Sequence, residues 1–207
     1  MRVVVIGASG RSGGAAAGHA LAAGHEVVSV VRRPSSAPEG TIVATADARD
    51  VAALTTALRG ADAVISAIGH VRTDGDVVVL QEGIAALLAA MGAAGVSRVV
   101  AVSAAGAYVA GDDPLSRFVA KPILERVLKA NNTDTRAMDA ALAASATEWT
   151  SLRPSRLIPG TGAADYRVGV DRTVRWHYST RFDTVGRAAV DSLAREDWIR
   201  RAVYITE

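Results

Sequence analysis

The 207-residue sequence contains no cysteine. A disulfide framework, a thiolate nucleophile and a thiolate-bound metal are therefore excluded, and no metal site is expected. Lysine is nearly as scarce. Lys121 and Lys129 are the only two, so arginine supplies almost all the positive charge. No apolar run reaches the ~18 residues that a membrane-spanning helix needs. The longest, residues 84–96, is alanine-rich and reads as a core helix. The first apolar run, 3–6, is too short for a secretory leader and flows straight into glycines. A formal net charge of +2 gives no support to a nucleic-acid or membrane partner. These absences lead us to expect a soluble, cytoplasmic chain, monomer or homodimer, acting on a small molecule.

What is present is an ordinary globular composition, 50% hydrophobic and 21% charged. Short β-branched runs alternate with helical patterns. Strands are expected at 3–6, 26–31, 41–45, 61–67, 97–103, 149–152 and 202–205. Helices are expected at 11–23, 50–58, 77–94, 115–130, 133–144 and 182–194, with Asn131-Asn132 breaking the fourth from the fifth. The alternation predicts an α/β fold, a Rossmann-type doubly wound parallel sheet, in one domain over residues 1–207. Residues 159–181 are less regular. Short alternating runs around 166–170 and 174–178 read as a small hairpin or lid that carries substrate contacts.

The glycines fall in the run Gly7-Ala8-Ser9-Gly10-Arg11-Ser12-Gly13, spaced G-x-x-G-x-x-G. The run follows a predicted strand and opens a predicted helix. Glycine permits the sharp turn and a close backbone approach, and the helix N-terminus offers N–H groups to a pyrophosphate. Ser9, Arg11 and Ser12 add side-chain donors. Residues 1–24 therefore read as a dinucleotide-binding strand–loop–helix.

An NAD site usually ends its second strand in an acid that binds the ribose hydroxyls. This strand ends Val30-Val31-Arg32-Arg33-Pro34. Two guanidinium groups suit a 2′-phosphate, so the expected cofactor is NADP(H), with NAD(H) as the alternative. Asp47-Ala48 is placed to touch adenine, although Asp47 also reads as a helix N-terminal acid. Ala67-Ile68-Gly69-His70 is placed near the ribose and pyrophosphate, with His70 equally an ordinary loop histidine.

The glycine triplet, residues 61–69, the strand 99–103 and Trp149-Thr150-Ser151-Leu152-Arg153-Pro154 together resemble the atypical short-chain dehydrogenase/reductases. Within these the chain is most similar to the biliverdin-IXβ/flavin reductase-like and NmrA-like NAD(P)H-binding groups. The resemblance implies a catalytic Ser, Tyr and Lys, the last two spaced Y-x-x-x-K. Ser103 matches the serine and Lys121 the lysine, which would also hold the ribose. Arg117 stands where the tyrosine belongs, and a guanidinium cannot act as a phenol does. Tyr108 is the one nearby phenol that could replace it. By the same resemblance Pro154 and Ser155 border the nicotinamide. Trp176 and His177 fall in the lid segment.

The altered tyrosine position favours an acceptor that needs no positioned acid. The leading expectation is an NADPH-dependent oxidoreductase acting on a planar conjugated acceptor (flavin, quinone or polyketide-like). The alternatives are a non-catalytic NADP(H)-binding sensor of the NmrA-like kind and a nucleotide-sugar epimerase or dehydratase.

Overall fold

Runs of valine and isoleucine become strands because β-branched side chains pack well on a pleated surface. A computed structural model of the chain describes residues 1–69, 78–108, 129–163 and 165–207. Seven strands run parallel: β1 (Arg2–Ile6), β2 (Glu26–Val31), β3 (Ile42–Thr45), β4 (Ala63–Ser66), β5 (Arg98–Val102), β6 (Glu148–Pro154) and β10 (Arg201–Thr206). An eighth, β8 (Arg167–Val170), lies antiparallel on the outer edge of β10. The order is β3-β2-β1-β4-β5-β6-β10-β8. Its first six members follow the 3-2-1-4-5-6 winding, so the Rossmann expectation is borne out. Two short strands, β7 (Arg156–Ile158) and β9 (Ser179–Arg181), form a separate parallel pair.

Helices cover both faces, which is why the strands are apolar on both sides. Val4, Ile6, Val28, Val64 and Val99 face α2 (Val51–Ala57), α3 (Val79–Ala94) and α4 (Lys129–Ala144), meeting Leu54, Leu87, Met91 and Leu142. The alternate residues Val3, Val5, Val27, Ile65, Val100 and Leu152 face α1 (Arg11–Ala22) and α5 (Phe182–Asp191). The connections β5–α4–β6 and β6–α5–β10 step in the same direction, yet their helices lie on opposite faces. They therefore have opposite hands. The α5 connection departs from the usual right-handed crossover, and it is the one that carries β7, β8 and β9.

Two expectations need correction. The helix is not broken at Asn131-Asn132, because α4 runs through both. Asparagine costs only a few tenths of a kcal/mol relative to most helix formers, and α4 is anchored by tertiary bonds. The Asp134 carboxylate, 2% exposed, accepts from Leu80 N–H and Gln81 N–H, each at 2.9 Å. It caps α3 from the neighbouring helix, where the helix dipole favours a negative charge and Val78 provides no side-chain cap. Residues 159–181 do not form a hairpin either. Residues 167–170 extend the main sheet, 179–181 pair with β7, and 174–178 form no strand. The outer edge of β10 would otherwise expose unpaired backbone groups, and β8 satisfies them. Most of the expected helix 115–130 lies outside the described residues. No described helix is long and apolar enough to cross a membrane.

Asp134→Ala removes the cap of α3. We expect it to cost about 1–2 kcal/mol, which lowers the melting temperature of a chain this size by roughly 3–6 °C in calorimetry. An unchanged melting temperature would show that α3 does not depend on this contact.

Candidate functional site

The turn from β1 into α1 is shaped by close backbone contact. Gly7 has φ +78°, and its N–H donates to the Val30 carbonyl at 3.3 Å. A Cβ on Gly7 would lie 2.6 Å from the Ala67 carbonyl oxygen, and one on Gly13 would lie 2.2 Å from the Gly7 carbonyl oxygen. The chain's own packing thus demands both glycines, whatever binds outside. Gly10 differs. It is exposed, it is the N-cap of α1, and no side chain caps it. The first turn of α1 contains no acid. Its N–H groups and partial positive charge are left for an anion, beside exposed Ser9 and Arg11. Arg11 stacks on the Phe182 ring at 3.9 Å, which fixes the guanidinium at this helix end. Ser12 is half-buried, while Ala8 is a core residue, 1% exposed.

The neighbouring strand ends converge on the same crevice. Arg32 and Arg33 are exposed just beyond β2, and neither guanidinium has a hydrogen bond or ion pair with the described residues. Beyond β3, the Asp47 carboxylate accepts from Arg49 N–H at 3.0 Å and Arg49 Nε at 3.1 Å. These bonds hold its pKa below the ordinary carboxylate value, with a smaller pull from Arg32. The cap of α2 is Asp50, which accepts from Ala53 N–H at 3.0 Å. Ala48 and Ile68 flank one turn of α3: a Cβ on Gly83 would lie 2.8 Å from Ile68 Cδ1 and 3.9 Å from the Ala48 carbonyl. Ala67 and Ile68 are half-buried, and Gly69 is exposed. His70 lies outside the described residues. Gly7, Arg32, Asp47, Ala48, Ala67 and Ile68 thus surround the carboxyl ends of β1–β4, where open α/β sheets bind ligands.

The ends of β5 and β6 hold a polar cluster that the sequence reading missed. Its centre is Asp139 on α4, 6% exposed. One carboxylate oxygen accepts from Ser103 Oγ at 2.9 Å, Tyr108 Oη at 2.5 Å and an Arg153 terminal nitrogen at 2.9 Å. The other accepts from Ser151 Oγ at 2.8 Å. Arg153 also donates to Tyr204 Oη at 2.8 Å, and its guanidinium lies 3.6 Å above the Tyr108 ring. Burial first, then the negative charge of Asp139, raises the Tyr108 pKa well above the ordinary phenol value. The two hydroxyls expected to do chemistry, those of Ser103 and Tyr108, are thus both engaged with one carboxylate. One signal in the sequence pointed here. Asp139 falls on the buried face of α4 with Asn132, Thr135, Met138 and Leu142, at helical spacing among core residues.

The remaining candidates divide in two. Pro154 is buried at the end of β6, paired with Ile205. Ser155 Oγ meets Thr180 Oγ1 at 2.7 Å and Thr206 Oγ1 at 3.0 Å, tying β6 to β9 and β10. His177 Nδ1 lies 3.1 Å from the Glu207 carbonyl, and Trp176 is exposed. Lys121 and Arg117 lie outside the described residues.

A family model described as NAD(P)H-binding matches residues 7–196. The chain belongs to the NAD(P)H-binding family. Its fold is shared with solved short-chain dehydrogenase/reductases. A Burkholderia pseudomallei protein described as exported is 26% identical, with a TM-score of 0.83 and 100% of both chains covered. A wide-type short-chain dehydrogenase/reductase from Veillonella parvula, solved in complex with NADP, is 18% identical with a TM-score of 0.82, covering 100% of this chain and 94% of that one. An oxidoreductase from Lactococcus lactis is 17% identical with a TM-score of 0.83, covering 100% and 91%. An uncharacterized Mycobacterium tuberculosis protein is 39% identical over 104 residues, which is 50% of this chain and 12% of that protein. This chain is therefore an NAD(P)H-binding family member with a Rossmann fold.

Burial and Asp191 likewise raise the Tyr166 pKa. A raised pKa favours the neutral phenol in the folded state. Stability is thus retained below the unfolded phenol value of about 10 and is lost as pH rises above it. Ultraviolet titration should show Tyr108 and Tyr166 resisting ionisation until alkaline unfolding. Asp139→Asn should bring the Tyr108 step down towards, but not to, the ordinary value, because burial is the larger cause. Ionisation of Tyr108 near pH 10 in the folded wild type would refute this assignment.

Proposed function

We propose that the protein is an NADPH-dependent oxidoreductase that reduces a planar conjugated acceptor, such as a flavin, a quinone or a polyketide-like aromatic. One observation carries the reading: in a chain whose α1 start is uncapped, the Ser103 and Tyr108 hydroxyls are both directed onto Asp139. An isolated carbonyl needs a positioned acid, and a phenol with a raised pKa is a poor one. A delocalised acceptor takes its proton from water, so it does not need that acid.

The residues present fit the cofactor. The uncapped start of α1, with Ser9, Arg11 and Ser12, would hold the pyrophosphate. Arg32 and Arg33 would hold the 2′-phosphate by charged hydrogen bonds, which favours NADP(H) over NAD(H). Asp47 and Ala48 would border the adenine, Ala67–Gly69 the ribose, and Pro154 the nicotinamide. When bound, the nicotinamide supplies the hydride. The chain's own part is to orient it, to hold the acceptor against it and to exclude competing water. The engaged hydroxyls also support a second reading, a non-catalytic NADP(H)-binding sensor that acts through a partner.

Stopped-flow mixing with NADPH should show its oxidation by FMN or menadione and little or none by simple ketones. Absence of oxidation by every flavin and quinone tried would favour the sensor. Replacing both Arg32 and Arg33 by alanine should weaken NADPH about 10–100-fold and leave NADH nearly unchanged, as expected for the loss of charged hydrogen bonds. Equal weakening of both nucleotides would refute the role given to these arginines.

A further inference from the structure

Three non-glycine residues among the described ones hold a positive φ: Asp171 at 53°, Trp176 at 67° and Arg200 at 57°. Two have a backbone reason. Asp171 N–H donates to the Ala202 carbonyl at 2.7 Å where β8 meets β10, and aspartate tolerates the left-handed region. Arg200 N–H donates to the Trp149 carbonyl at 2.6 Å on entering β10. Trp176 instead sits with Arg175 in a tight turn. A bulky aromatic in this region is strained, and its residue is 63% exposed. Backbone strain clusters at ligand sites, and here it coincides with a large apolar side chain left in water.

Its place in the fold says which site. The Tyr178 carbonyl accepts from Arg156 N–H at 3.0 Å, and Arg156 follows Pro154 and Ser155 at the end of β6. From Tyr178 the chain passes through β9 directly into Phe182, on which Arg11 of the glycine loop stacks. The β7–β9 pair is therefore a wall that runs from the end of β6 to the start of α1. Trp176 and Tyr178 stand at its β6 end, and exposed Leu157 lies within it. His177, between the two aromatics, is tied to the Glu207 carbonyl. The tie fixes the turn while the ring of Trp176 stays outside.

We propose that Trp176, flanked by Tyr178 and Leu157, is the stacking platform that receives the acceptor. The acceptor class is a flat, conjugated molecule with an apolar face. This inference rests on the reductase reading above. A rigid aromatic face selects planar molecules by stacking and offers little to a small aliphatic carbonyl.

The test is calorimetry on the NADP⁺-saturated protein, with FMN and menadione as probes, beside steady-state turnover. Trp176→Ala should weaken the acceptor at least tenfold and raise its KM to match, with NADPH affinity within twofold of wild type. Trp176→Phe should recover most of the loss. Trp176→Gly should lose the acceptor like the alanine variant yet melt higher than it, because glycine relieves the left-handed φ. Acceptor affinity unchanged in Trp176→Ala, with turnover intact, would overturn the platform and leave the reductase reading standing. No NADPH oxidation in wild type, but acceptor binding that depends on Trp176, would do the reverse. Failure of wild type to bind either probe would overturn both.

Discussion

A carboxylate buried as deeply as that of Asp139 persists only because four donors meet it. An isolated charge there would cost several kcal/mol in lost hydration. Three hydroxyls and one guanidinium remove that cost, and in doing so they join four parts of the chain. Ser103 comes from the end of β5, Tyr108 from the turn after it, Ser151 and Arg153 from β6. Arg153 carries the link on to Tyr204 of β10. The placement of α4 on the sheet and, after burial, the raised pKa of Tyr108 thus share Asp139 as a cause. The arrangement that stabilises this corner of the fold also directs both candidate hydroxyls, those of Ser103 and Tyr108, onto one carboxylate.

The fold was largely legible in the sequence because its signals are local. Runs such as Val3–Ile6 and the glycine spacing each reflect a few adjacent residues whose conformation depends little on distant ones. The misreadings were of a different kind. Asn131-Asn132 looked like a helix stop, but the anchoring of α4 involves Asp134 and the start of α3, more than fifty residues earlier in the chain. The runs at 166–170 and 174–178 looked like partners because they are close in sequence, yet the strands that form are 167–170 and 179–181. Their real partners, β10 and β7, satisfy edges that no local pattern displays. Asp139 was overlooked for the same reason: a single acid on an apolar helix face gains its meaning only from the residues that fold onto it.

The glycine loop shows how a correct motif can be read too strongly. Gly7 and Gly13 are required by contacts inside the chain, with the Ala67 carbonyl and between loop and helix. Their presence establishes this turn; the ligand is indicated by other features. Those features are the uncapped helix end, the absence of acid in its first turn, the placement of Arg11 on Phe182, and the two unengaged guanidiniums after β2. Each concerns what is left exposed to the crevice.

The connection from β6 to β10 joins the two halves of the site. A short crossover of the usual hand would have placed its helix beside α4. Instead the chain detours through β7, β8 and β9, and α5 comes to lie against α1 on the other face. That detour brings Phe182 under Arg11 at the phosphate end and holds Tyr178 beside β6 at the other end. The three residues of β9 are all that separates Tyr178 from Phe182 along the chain. The irregular segment, the reversed crossover and the strained Trp176 are consequences of one topological choice. In the reading proposed above, the β6 end of this wall faces the acceptor, while its α1 end meets the glycine loop through Phe182 and Arg11.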